Sequence, residues 1–199
     1  RLADKLLIAI FGCMLLETIH FYAGLHDLDI FTLLTFPVED SLVFFFGPAT
    51  YLYVKSLYLP TKQLLWRHRW HFLPLALYVG FIAIPITVSI LQDAYLFPYL
   101  KYIVQNEFLF LTHMFYLLFY TLLSLRLLRR YQATIREYFS DLAEVNFQWI
   151  QFFFVGILCV IGVDLSTSAY ELTFGNFSWD TGFLTVFAMI GLVAYLGYQ

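Results

Sequence analysis

The sequence has several ionisable residues within apolar stretches, and these residues could bind a ligand or a metal ion or transfer protons. Glu17 and His20 lie three residues apart in an apolar run, and this spacing places a carboxylate and an imidazole on one face of a helix. Such groups are costly to bury in a bilayer, so they indicate a functional site by default. The predicted ligand-binding residues are Glu17, His20, Asn106, Glu107, His113 and Asp164.

Three interpretations of these polar residues remain open. They could line an outward-facing ligand pocket, or they could pair with one another and with hydroxyl side chains as structural hydrogen bonds. As a third interpretation, Glu17, His20 and His113 could bind a metal ion. The di-metal sites of helix bundles use a second Glu-x-x-His copy, which this sequence lacks, and we predict no metal and no cofactor.

Motifs of the common catalytic sites are missing from the sequence. It contains no Gly-rich phosphate loop, no HExxH and no Gly-x-Ser-x-Gly. Cys13 and Cys159 lie in apolar stretches without a partner that would activate a thiol, which indicates small membrane-buried residues. We therefore predict a protein that is not an enzyme, with an intramembrane enzyme as the alternative.

The composition places these residues in a membrane protein. Of the 199 residues, 61% are hydrophobic and 13% are charged, whereas a soluble domain averages about 25% charged and roughly 45–50% apolar residues. Too few polar side chains remain to cover a water-exposed surface. The sequence predicts an all-α fold, a polytopic transmembrane helical bundle.

Six apolar segments are long enough for the roughly 20 residues that a helix needs to cross a bilayer. Their approximate bounds are 6–25, 33–59, 72–92, 103–125, 147–167 and 181–198. Pro85 predicts a kink in the third segment. The helix of the fourth segment continues past the membrane into a cytoplasmic hairpin, 126–146, in which Ser140 is a candidate N-cap. Residues 1–199 are predicted to form a single transmembrane domain.

The basic residues predict the orientation. Ten of the eleven lysines and arginines fall on one set of connections, and Lys101 alone falls on the other. The positive-inside rule therefore puts both ends of the chain in the cytoplasm. The predicted anchors at this interface are Lys55, Trp66, Arg67, Arg69, Trp70, Arg129 and Arg130. The basic cluster is interpreted as a topology signal attracted to membrane lipid, or as a surface that also touches a cytoplasmic partner domain.

Several stretches, in order along nearly the whole chain, resemble the multi-helix membrane sensor region of bacterial membrane-embedded AraC-family transcriptional regulators. RLADKLLIAIFGCMLL is similar to a membrane helix of those regions. FFFGPATYLYVKSLYLP followed by WRHRWHFLPLALYV looks like their characteristic helix pair. IREYFSDLAEVNFQWIQFF is similar to a stretch of those regions with the pattern I…FS…NL.WL, and AYLGYQ resembles the closing helix that leads to the output domain. Related regions precede histidine kinases.

This resemblance implies a function and parts beyond the chain. It implies one further helix before Arg1, which gives seven helices, and a DNA-binding helix-turn-helix domain after Gln199. It also implies a homodimer in the bacterial inner membrane that passes an outer-side or intramembrane signal, from an unknown small molecule or protein, to that domain. The alternatives are the sensor region of a histidine kinase and an accessory subunit of a transporter or channel complex.

Overall fold

The computed structural model describes residues 2–26, 28–58, 64–92, 107–138 and 148–175, together with eight positions between 184 and 195. The described elements are helices and turns, with no strand among them, which confirms the all-α prediction. The chain, treated as one domain from sequence, divides into two compact units, 1–120 and 121–199, and each is described by itself.

Seven α-helices are present in the described ranges. They are α1 (Leu2–Leu25), α2 (Asp29–Tyr58), α3 (Leu64–Arg67), α4 (Leu73–Tyr78), α5 (Ile84–Leu91), α6 (Glu107–Tyr138) and α7 (Gln148–Phe174). A 3-10 turn, Arg69–Phe72, joins α3 to α4, and a π turn, Val79–Ala83, joins α4 to α5. The run 69–91 is therefore helical throughout and is called the third segment below.

Four helical stretches of the described residues are long and apolar enough to cross a membrane. They are Leu2–Gly24, Arg69–Leu91, Leu109–Gln132 and Gln148–Glu171. They correspond to the first, third, fourth and fifth predicted segments, so the chain is a helical membrane protein. The second predicted segment forms α2, whose apolar residues are interrupted by Gly47, Pro48, Thr50 and Tyr51. Only part of the sixth, 181–198, is described.

Prolines explain the two irregular turns of the third segment. Pro74 has no N–H to donate to the Trp70 carbonyl four residues earlier, and the Leu73 N–H donates to that carbonyl instead, which tightens the chain into the 3-10 turn. Pro85 follows the π turn, where the Ile84 N–H donates to the Val79 carbonyl five residues back. The predicted irregularity at Pro85 therefore takes the form of a wider helical turn.

In the first unit, α1 packs along α2. Ile10 and Met14 of α1 are buried, as are Leu52 and Val54 of α2. The opposite side of α1 exposes large apolar side chains, among them Ile8. A helix with apolar residues on both its packed and its exposed face is expected where lipid replaces water.

In the second unit, α7 supplies most of the buried side chains. Phe154 and Ile161 are almost completely buried, and the Gln151 side chain donates to Oε1 of Gln132 on α6 at 2.7 Å. Gly156 faces the side chain of Leu192. The described part of the last segment therefore packs against α7 where the glycine leaves room.

Helix α6 is longer than a membrane crossing requires. Its 32 residues extend about 48 Å at 1.5 Å per residue, whereas the hydrocarbon core measures about 30 Å. The helix continues past residue 125, as predicted. The remainder of the predicted hairpin, including Ser140, lies outside the described residues.

Candidate functional site

The site begins at a close approach between α2 and Tyr120 of α6. A Cβ atom built on Gly47 would lie 3.0 Å from Cδ2 of Tyr120 and 3.1 Å from its Cβ and Cγ. These distances are shorter than ordinary van der Waals contact. Glycine is therefore the residue that allows the tyrosine to lie directly on the α2 backbone.

Pro48 leaves one backbone carbonyl of α2 without its usual hydrogen bond within the helix. Because proline has no N–H, the carbonyl of Phe44, four residues earlier, lacks its usual helical donor. The Tyr116 hydroxyl lies 3.4 Å from the Phe44 carbonyl oxygen and 3.3 Å from that of His71. A hydroxyl has one proton to donate, so the carbonyls of α2 and of the 3-10 turn compete for it with the Tyr120 hydroxyl, to which Tyr116 is also hydrogen-bonded.

His71 joins the 3-10 turn to α6. Its Nδ1 lies 2.8 Å from the Tyr120 hydroxyl oxygen, and its ring lies 5.4 Å from the ring of Tyr51 on α2. The imidazoles of His68 and His71 are stacked, with their centroids 5.7 Å apart and an angle of 14° between the rings. One histidine of the 3-10 turn therefore contacts both α2 and α6.

Lys55 connects the end of α2 to the same turn. Its Nζ lies 2.8 Å from Nε2 of His68 and donates to the Tyr51 hydroxyl at 3.3 Å. Nδ1 of His68 lies 3.0 Å from the Leu64 carbonyl oxygen, which can only accept. The proton of the neutral imidazole therefore belongs on Nδ1, and Nε2 accepts from Lys55.

These contacts form one connected group on α2, the 3-10 turn region and α6. We call it the polar cluster, and it consists of Tyr51, Lys55, His68, His71, Tyr116 and Tyr120. Its hydrogen bonds depend on where protons sit on imidazole, amine and phenol groups. Chemically, the arrangement can hold three elements in one geometry and exchange donors and acceptors when that geometry changes.

His113 is the predicted site residue that lies nearest to the polar cluster. It is 5% exposed, and its ring makes edge contacts with Phe44 at 4.8 Å and with Tyr78 at 5.8 Å between centroids. Phe44 also contacts the ring of Tyr116 at 5.1 Å. The ring of Phe44 therefore contacts both His113 and Tyr116, and it links the buried histidine to the polar cluster.

Glu17 and His20 lie on α1 and are both half-buried. Nδ1 of His20 lies 2.7 Å from Oγ1 of Thr35 on α2, a hydrogen bond of the kind that the structural interpretation predicts. Among the residues that the structure describes, no three His, Cys, Asp or Glu side chains gather closely enough to hold a metal ion. Glu17, His20 and His113 therefore do not form such a group.

The remaining predicted site residues are Asp164, Glu107 and Asn106. Asp164 is half-buried on α7, in the second unit, where its carbonyl accepts from the Thr167 hydroxyl at 3.0 Å. Glu107 is the first residue of α6, and its side chain, like the whole of Asn106, lies outside the described residues.

The predicted anchors are placed on the surface, with Lys55 as the exception. Trp66 and Trp70 are 72% and 68% exposed. The Arg69 guanidinium lies over both rings, at 4.3 Å from the centroid of Trp66 and 5.5 Å from that of Trp70. Arg67, Arg129 and Arg130 are also exposed. Lys55 is half-buried and belongs to the polar cluster.

Sequence reasoning missed most of the polar cluster. Five of its six residues lie outside every predicted set of site residues and anchors: Tyr51, His68, His71, Tyr116 and Tyr120. A signal was present in the spacing, because three pairs recur at three or four residues. The pairs are Tyr51 with Lys55, His68 with His71, and Tyr116 with Tyr120.

Comparison of the chain with known protein families, curated proteins and solved structures finds no match in any of the three. The resemblance described from the sequence motifs therefore remains a hypothesis about family.

Proposed function

We propose that this chain is the membrane-embedded sensory region of a bacterial transcriptional regulator. The observation that carries the proposal is the position of FFFGPATYLYVKSLYLP, the stretch most similar to those sensor regions. Its glycine and proline lie at the point where α2 meets Tyr116 and Tyr120, and its lysine contacts His68. The residues behind the resemblance thus form a joint between helices, which a signal-transmitting protein requires.

The polar cluster offers a physical means of transmission. The Tyr116 hydroxyl stands between two carbonyls, at 3.4 and 3.3 Å, and both distances are at the long end for hydrogen bonds. A small movement of α6 would favour one acceptor over the other. A signal that binds the two arrangements unequally would shift their populations, and the changed position of α6 would reach its cytoplasmic end.

The proposed protein has six membrane helices in this chain and a seventh before Arg1, in the bacterial inner membrane. Glu17, His20, Asn106, Glu107, His113 and Asp164 would belong to the outer-side pocket that receives the signal. A homodimer would present paired DNA-binding domains beyond Gln199 to DNA.

The proposed topology predicts which positions an impermeant thiol reagent reaches. With Cys13 and Cys159 replaced by alanine, Gln63→Cys and Ile135→Cys should react only after the inner membrane is permeabilised, because both positions are assigned to the cytoplasm. Phe177→Cys, in a connection assigned to the outer side, is the matched control and should react in intact spheroplasts. Labelling of positions 63 and 135 in intact spheroplasts would reverse the orientation.

The regulatory function predicts altered transcription when the joint is changed. In the bacterium that carries the gene, deletion of the full-length protein identifies the responding transcripts. Tyr116→Phe, which removes the shared hydroxyl but leaves the ring packed, is expected to shift those transcripts by about tenfold, the effect of biasing a two-state equilibrium by about 1.4 kcal/mol. Transcript levels are compared at equal membrane abundance.

Tyr22→Phe is the control for this experiment, because it removes a hydroxyl from a tyrosine that is exposed on α1. It should leave the transcripts unchanged. Sequencing of the coding region beyond residue 199 distinguishes the output: a helix-turn-helix domain supports regulation of transcription, and a kinase core indicates phosphorylation. The proposal is wrong if deletion changes no transcript or if Tyr116→Phe acts no more strongly than Tyr22→Phe.

A further inference from the structure

The third segment and the turn before it expose a stripe of large apolar side chains. The members recur at intervals of three or four residues, which places them along one side of a helical path. They are Trp66, Trp70, Leu73, Leu77, Phe81 and Ile84. Phe81, in the middle of a stretch long enough to cross the membrane, is 65% exposed. In such a stretch the stripe is a surface for lipid acyl chains.

One end of this stripe differs from the rest in chemistry. Trp66 and Trp70 combine an apolar ring with an indole N–H, and such residues favour the boundary between acyl chains and headgroups. The Arg69 guanidinium lies over both rings. Cation–π contact holds the charge beside the rings and leaves the planar N–H groups of arginine available to a phosphate.

The sequence around this end carries positive charge and no acidic residue. From residue 41 to residue 92 there is no aspartate or glutamate, although the segment contains Lys55, Lys62, Arg67 and Arg69. The whole chain has a net charge of -3, so the positive segment is not a reflection of the overall composition. The complementary partner of this surface is an anion.

We infer that Trp66, Arg67, Arg69 and Trp70 form a binding site for the headgroup of an anionic phospholipid. The phosphate lies against the two guanidinium groups, and the acyl chains follow the apolar stripe from Leu73 towards Ile84. The stripe identifies the occupant as lipid, since a soluble phosphate would use the charged end alone. The inference does not depend on the proposed sensory function or on the orientation of the chain.

The test uses quenching of tryptophan fluorescence by brominated acyl chains. In the full-length protein, Trp149, Trp179 and any tryptophan outside residues 1–199 are replaced by phenylalanine, so that Trp66 and Trp70 report alone. The protein is reconstituted in phosphatidylcholine vesicles with equal mole fractions of brominated phosphatidylglycerol or brominated phosphatidylcholine. We expect about a fivefold preference for phosphatidylglycerol at these tryptophans, the factor that corresponds to about 1 kcal/mol for one basic residue at an anionic surface.

Charge variants test the assignment. Arg67→Gln with Arg69→Gln should abolish the preference while brominated phosphatidylcholine still quenches, which shows that the tryptophans remain in lipid. If the double variant fails to insert, each single variant should show an intermediate preference, and an unchanged preference in both overturns the inference. Arg126→Gln with Arg129→Gln removes two exposed arginines elsewhere and should have no effect.

Three other outcomes overturn the inference. Equal quenching by the two brominated lipids means that no anionic headgroup is selected. Loss of the preference in the Arg126 and Arg129 double variant means that net charge, not this site, attracts the lipid. Absence of quenching by either lipid means that a protein surface, not lipid, covers Trp66 and Trp70.

Discussion

Replacement of Gly47 by valine is expected to lower the free energy of unfolding by about 3 kcal/mol. The new Cβ would lie 3.0 Å from the Tyr120 ring, and the two γ-methyl groups add further volume. The ring cannot turn aside freely because its hydroxyl is bonded to His71 at 2.8 Å. Titration with sodium dodecyl sulfate in mixed micelles, followed by circular dichroism, measures the change.

Gly12→Val is the matched control for Gly47→Val. Gly12 lies on α1, and a Cβ built there meets nothing within 4 Å, so the change should stay within about 0.5 kcal/mol. In the Gly47→Val background, Tyr120→Ala removes the obstructing ring and should show a favourable coupling of at least about 1 kcal/mol. Equal effects at Gly12 and Gly47, or additive effects in the double variant, would contradict the close approach.

Phe44→Ala is expected to cost about 3 kcal/mol, because Phe44 is the centre of an aromatic core. Its ring centroid lies 5.1 Å from that of Tyr78, 4.8 Å from that of His113 and 5.1 Å from that of Tyr116. Removing it leaves a cavity that these rings cannot fill without breaking the contacts of Tyr116. The same detergent titration reports the loss.

Phe81→Ala provides the comparison for Phe44→Ala, since Phe81 is exposed on the third segment. Because lipid chains can fill the space that the removed side chain leaves, no cavity forms. Phe81→Ala should therefore lower the free energy of unfolding by no more than about 0.5–1 kcal/mol. If Phe81→Ala destabilises the protein as strongly as Phe44→Ala, the aromatic core is not where the first unit gains its packing energy.

Sequence patterns were sufficient for most helices, because the signal for a membrane helix is contained in a local run of apolar residues. Segments one, three, four and five were identified in this way. In α2 the apolar run also contains Gly47, Pro48 and Tyr51. Those residues are the ones in contact with α6 and the 3-10 turn, so the departure from the pattern coincides with the joint.

The polar cluster could not be predicted because its pairs are tertiary. His71 and Tyr120 are separated by 49 positions, and no local periodicity relates them. Charged residues are the most conspicuous polar groups in an apolar sequence, and they point to Glu17 and Asp164 rather than to tyrosines. A tyrosine in a membrane helix carries the same hydropathy signal whether it stands at an interface or donates to a carbonyl that a proline has left unpaired.

His113 shows what an intramembrane ionisable residue does and does not reveal. Its type and its place in an apolar segment predicted a site residue, and the structure places it in the interior. Its surroundings, the rings of Phe44 and Tyr78, depend on the packing of three elements. The sequence therefore located the residue but not the chemistry around it.

The π turn at Val79–Ala83 has a consequence for how this chain can change in evolution. A π turn holds one residue more than an α-helical turn over the same length of axis, so the helix after it keeps the orientation that it would have without that residue. An extra or missing residue that is not absorbed in this way rotates everything after it by about 100°. Deletion of one residue within 79–83 can therefore be absorbed by conversion of the π turn to an α-helical turn. Elsewhere in the third segment, the same change would turn the lipid-facing stripe towards protein. We expect relatives of this chain to vary in length at this point and to keep their prolines on either side of it.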